Sequence, residues 1–173
     1  MKRIIIIILV IVVVLSSGIY AVYNNYQLGQ ELYREAQKTS ILTHNLADGI
    51  GYLLEGVENP DRGFSTIGFD SYCTEMHLRF GPPYLPVRED VALEWRARTE
   101  ALWEKCVNKD TEAVKQMVLA EKEELTDLKE DLYHFAYCMI DFFERYNKLS
   151  FWERCFTSWE KERDILSEQA KFS

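Results

Sequence analysis

A run of twelve aliphatic residues begins at Ile4 and ends at Leu15, and no charged residue follows Arg3 until Glu31. Placed on the surface of a water-soluble fold, that run would be an insoluble patch. From Ile4 to Tyr23 there are twenty residues, about 30 Å as an α-helix, which matches the hydrocarbon core of a bilayer. Tyr20, Tyr23 and Tyr26 recur at every third position at its far end, as aromatic side chains do at a membrane–water boundary. The segment therefore reads as a transmembrane anchor over residues 1–23. A cleaved leader is the competing reading: Lys2-Arg3, the apolar run and Ser16-Ser17-Gly18 supply its basic start, greasy middle and small residues at the cut. Segment length and the tyrosine belt favour retention. Ile19 stands where a lipidated cysteine would follow, against a lipoprotein. Lys2 and Arg3 lie closer to the apolar segment than Arg34 and Lys38 do, so the positive-inside rule keeps the amino terminus cytoplasmic. Residues 24–173 are then expected outside the cytoplasm, in a periplasmic or extracellular space.

That remainder carries 28 acidic against 18 basic residues, a net −10, and such a field repels phosphates, so nucleic acid is not an expected partner. Its punctuation is sharply uneven. All four prolines, Pro60, Pro82, Pro83 and Pro86, lie in one window, and residues 87–173 contain neither proline nor glycine. A stretch without helix breakers reads as helix, and the proline window as one long irregular loop over residues 58–88. Phe64, Phe69, Tyr72, Phe80 and Tyr84 give that loop enough apolar surface to wrap the bundle.

Apolar residues at 4-and-3 spacing, from Val114 and Val118 through Leu125, Leu128, Leu132, Phe135, Met139 and Phe142 to Tyr146, predict a helix of about 36 residues with one seam, the pattern of a helical bundle or coiled coil. Glu121 is the only polar occupant of that stripe. Asp110 or Thr111 caps its start, and Ser150-Phe151-Trp152-Glu153 matches a capping box that opens the next helix, with Trp152, Cys155, Phe156, Trp159 and Leu166 on one side. Val91, Trp95, Leu102 and Cys106 mark a shorter helix; Leu28, Leu32, Leu42, Leu46, Ile50 and Leu53 mark a fourth, which Gly49 and Gly51 are positioned to bend. The fold class expected is all-α: an anchor followed by an antiparallel, four-helix bundle.

Four cysteines, Cys73, Cys106, Cys138 and Cys155, lack the C-x-x-C spacing of redox, haem or zinc motifs. An exported domain with an even cysteine number allows disulfides. Helix-hairpin geometry pairs Cys138 with Cys155 and leaves Cys73 for Cys106, against the alternative of four buried thiols. No catalytic, cofactor-binding or metal-binding set emerges. Asp131-x-x-His134 occurs once, where a helical di-metal site needs two such pairs, and no nucleophile elbow or glycine-rich phosphate loop is present. The acidic cluster from Glu121 to Asp131 reads as a solvated face.

Aromatic residues crowd the last hairpin, and several fall off the seam. Tyr137, Phe143, Phe151, Trp152 and Trp159 are accordingly the candidate interface. These features lead to a non-enzymatic, single-pass interaction or assembly subunit of an envelope or secretion complex. Its expected partners are the membrane and another protein of that membrane or envelope, or a second copy. A sensory ligand-binding module and a secreted helical effector or inhibitor are the alternatives.

Overall fold

The computed structural model describes residues 2–59, 64, 86–106 and 109–171. Most of the proline window, with Cys73 and the expected wrapping loop, lies outside the described residues. Those described are all-helical, without a strand. Among the described residues the helices are α1 Lys2–Glu58, α2 Glu89–Cys106, α3 Thr111–Ala120, α4 Lys122–Lys148, α5 Phe151–Phe156 and α6 Trp159–Gln169.

Helix α1 joins two segments that the sequence suggested separately. The anchor and the amphipathic stretch beginning at Leu28 are one helix, continuing without a break through Gly49 and Gly51. Asn24, Asn25, Gln27 and Gln30 bridge the two, and no proline interrupts the helical hydrogen bonds there. Its environment changes along its length. Ile4 through Leu15 are all more than half exposed, whereas Leu32, Ala36, Leu46, Ala47, Ile50 and Leu53 are buried.

The partner of that buried face is α4. Contacts pair Tyr33 with Tyr146 (4.7 Å, stacked), Asp48 with Tyr133 (2.6 Å) and Glu58 with Lys122, so the two helices run antiparallel. Leu125, Leu132, Phe135, Met139 and Phe142 fill the seam, as their spacing predicts. Tyr133 donates its hydroxyl to Asp48, and that bond, with partial burial, pushes the phenol up to about 12.

Helices α2 and α6 close the other side. Trp95 stacks edge-on against Phe135 at 4.6 Å and donates its indole N–H to the Ala170 carbonyl at 2.9 Å. The Arg88 backbone N–H donates to Ser167 Oγ (2.7 Å), and its guanidinium pairs with Asp90 and Glu168. The N-terminus of α2 is thus tied to the last turn of α6.

Two expected continuous helices are broken in the structure. The 36-residue helix divides at Glu121, whose backbone (φ −112°, ψ 25°) leaves the helical range. Its carboxylate turns out of the stripe to Lys105 on α2, at 2.7 Å, instead of entering the seam. That ion pair also holds the Lys105 ammonium above its ordinary value. Burying an unpaired carboxylate would cost several kcal/mol, more than the few hydrogen bonds forfeited at a kink. The second break, at Thr157-Ser158, separates α5 from α6.

Gly29 explains how α6 reaches the core. A Cβ there would lie 2.3 Å from Cε2 of Trp159, so the indole packs directly on the α1 backbone. Glycine costs about 1 kcal/mol relative to alanine inside a helix, and close approach is what the position gains in return. Gly29→Ala is expected to destabilise the domain by about 1–2 kcal/mol net of its better helix propensity. In a Trp159→Leu background the same change becomes neutral or stabilising; a double-mutant cycle on thermal unfolding in mild detergent reads the difference.

Tyr133 yields a pH prediction. A phenol whose folded pKa lies near 12, above the unfolded value of about 10, stabilises the fold fully below pH ~10 and loses that contribution as pH rises through ~12. The melting-temperature advantage of wild type over Tyr133→Phe should therefore hold steady to about pH 10 and shrink above it.

Candidate functional site

Where α4 ends beside the exposed half of α1, the chain makes a two-residue turn. Leu149 is extended, and Ser150 opens α5 with the capping box its sequence foretells. Ser150 Oγ accepts from the Glu153 N–H (3.3 Å), and Glu153 Oε2 accepts from the Ser150 N–H (2.7 Å). The same bonds hold the Glu153 carboxyl below its usual value. After six residues Thr157 turns extended and the helix stops.

Every short helix must place its terminal carbonyls, and here side chains take them. Glu153 O accepts from the Thr157 N–H and hydroxyl, both at 2.8 Å. Arg154 O accepts from the Trp159 indole at 3.0 Å. Asn25 of α1 donates its amide to two more, Cys155 O at 2.8 Å and Thr157 O at 2.9 Å. Asn25 therefore locks α5 to α1 two residues beyond the apolar segment. The Arg154 guanidinium lies over the Tyr146 ring, 4.5 Å from its centroid, adding a cation–π contact.

With its carbonyl end fixed, α5 presents its apolar side chains outward. Phe151, Trp152 and Phe156 are 55%, 67% and 70% exposed, while Cys155 between them is buried. Phe151 packs on Tyr26 at 5.2 Å and on Trp152 at 5.3 Å. Together with Val14, Leu15, Ile19, Val22 and Tyr23 of α1 they line an apolar groove of about 700 Å³. Ser16 and Ser17, the only hydroxyls in the apolar run before Tyr20, return theirs to the carbonyls of Val12 and Val13 at 2.8 Å. The hydroxyl protons are thereby satisfied within the helix itself.

The structure divides the five aromatic interface candidates. Phe151 and Trp152 are exposed beside the apolar half of α1, and Tyr137 is exposed on α4 near His134, Cys138 and Gln169. Trp159 is a core residue, 2% exposed, and Phe143 is half-buried edge-on against Tyr33. The reason is the break at Thr157, which turns Trp159 inward while leaving Trp152 outside. Phe156 and Asn25 complete the site without having been singled out from sequence. The residue at 156 was legible as an aromatic, but Asn25 carries no local signal for a contact 130 residues away.

The expected Cys138–Cys155 bridge is absent: both are free thiols. Cys138 faces the C-terminal turn of α6, with its sulfur 3.6 Å from Gln169 O, whereas Cys155 lies in the α1–α5 groove. Burial, and then the Asp141 carboxylate, push the Cys138 thiol up, away from the reactive thiolate. Cys106 is buried in the core, and its expected partner Cys73 lies outside the described residues. His134 points Nε2 at Gln169 O (2.9 Å), and Asp131 pairs with Arg98 (3.2 Å), so neighbours already engage both members of the Asp-x-x-His motif. Among the described residues no three His, Cys, Asp or Glu side chains gather as metal ligands.

The chain matches no protein-family model, no curated protein and no solved structure.

Replacing Asn25 by alanine removes both amide donors from the α5 carbonyls. The loss of about 1–2 kcal/mol of local stability should speed amide exchange over residues 151–157 roughly tenfold. Protection over residues 125–142 should stay unchanged.

Proposed function

We propose that the chain is a single-pass membrane protein, amino terminus in the cytoplasm, whose extracytoplasmic part works by contact with another protein of the envelope or with a second copy. In this reading α1 beyond the anchor, α2, α4 and α6 form the antiparallel four-helix unit, and its task is assembly, not catalysis. One observation carries the reading: the helix long and apolar enough to span a membrane is the same helix that supplies the bundle's central face. A cleaved leader has no need to share an unbroken helix with the domain it delivers. Cleavage after Gly18 would also take Val14, Leu15 and Gly18 from the α5 groove and shorten the apolar surface that Phe151, Trp152 and Phe156 continue. Support for a protein partner comes from Tyr137, which is 60% exposed and stands apart from the α5 groove. Large exposed aromatics are favoured anchors at interfaces.

Retention predicts that the chain resists alkaline carbonate extraction and keeps its full mass, and that protease added outside the cytoplasm digests residues beyond 24. A photo-crosslinking amino acid at position 137 should give a discrete adduct in the native membrane. A mature chain starting at Ile19, or a strictly monomeric species with no adduct, would defeat the proposal.

A further inference from the structure

The geometry points to a second membrane contact: α5 is a foot that seats Phe151, Trp152 and Phe156 at the headgroup–acyl boundary of the bilayer, with a phospholipid chain in the groove between α5 and the anchor. This inference rests on the anchored reading above. Its argument is one of level and continuity. The groove reaches from Tyr26 down to Val14, about 18 Å of helix rise, so it runs alongside the outer half of the apolar segment and ends about one turn past it. If the stretch from Ile4 to Tyr23 fills the hydrocarbon, α5 sits at its edge, beside Tyr20 and Tyr23, which are 67% and 58% exposed.

The exposed face of α5 is therefore not an isolated patch. It continues the apolar surface of the anchor, whose spanning window is wholly unburied. Whatever covers the anchor there covers α5 too, and for a single-pass helix that medium is lipid. The chemistry fits the boundary: the Trp152 indole is an apolar body with one polar tip, favoured at that depth, and the phenylalanines beside it supply the apolar face of an interfacial segment. Nothing about α5 makes it a spanning element. Six residues can only lie along the surface, as interfacial amphipathic segments do.

The test uses the full chain in phospholipid vesicles that carry brominated acyl chains, which quench tryptophan over short distances. Of the four tryptophans, Trp95 and Trp159 are buried and Trp103 lies on α2 near the Glu121 end, remote from the anchor. Quenching by shallow bromines should exceed that by deep ones, and Trp152→Phe, a mild change at an exposed site, should remove at least half of it. Equal quenching in wild type and Trp152→Phe overturns the inference. So does quenching that appears only as the chain is diluted in the bilayer, which would assign the groove to a second copy. Carbonate extraction of the same vesicles separates the two readings. A chain that stays bound with Trp152 unquenched sinks the foot alone, whereas a chain that washes off sinks the anchor and the foot together.

Discussion

Backbone hydrogen bonding runs through α1 from Lys2 to Glu58, and the remaining elements are arranged around that continuity. A helix is the one way for a single spanning segment to satisfy its amides in hydrocarbon, and in water it persists when packing rewards one face. Helix α1 meets the two conditions in succession: exposed aliphatics first, then a buried stripe that engages α4. The residues at the change of regime do further work. Asn25 takes two carbonyls of α5, and Gly29 admits the indole of Trp159. Both lie within two turns of the last apolar position, so the ends of α5 and α6 are fixed where the helix leaves its greasy half.

What could be read from sequence follows from which signals are local. Seam positions such as Leu132, Phe135 and Met139 are encoded by periodicity, and each is buried. Caps are encoded by adjacent residues, and those at Asp110 and Ser150 form the expected bonds. Breaks were harder. Glu121 announced itself as a polar residue in an apolar stripe, yet its consequence depends on Lys105, sixteen residues away on another helix. Thr157 gave no such hint, because the stop there depends in part on Asn25, 132 residues away.

The aromatic site was legible only in outline. Exposure of an aromatic depends on the direction its helix faces, and one break reassigns every residue after it. Trp159 consequently belongs to the core, while Phe156 joins Phe151 and Trp152 outside. The cysteines illustrate the same limit. Spacing across the hairpin brought Cys138 and Cys155 within range on paper, but α5 turns toward α1 as α4 presents Cys138 to α6.

Rigid attachment makes the bundle a lever. Residues 24–58 extend α1 roughly 50 Å past the apolar segment, so in a bilayer a change of about 10° in helix tilt carries the Glu58 end sideways by about 9 Å. Spanning helices lean further as the hydrocarbon thins. If its apolar half is embedded as proposed, a helix that runs unbroken into its core converts local bilayer thickness into the lateral position of its outermost turn.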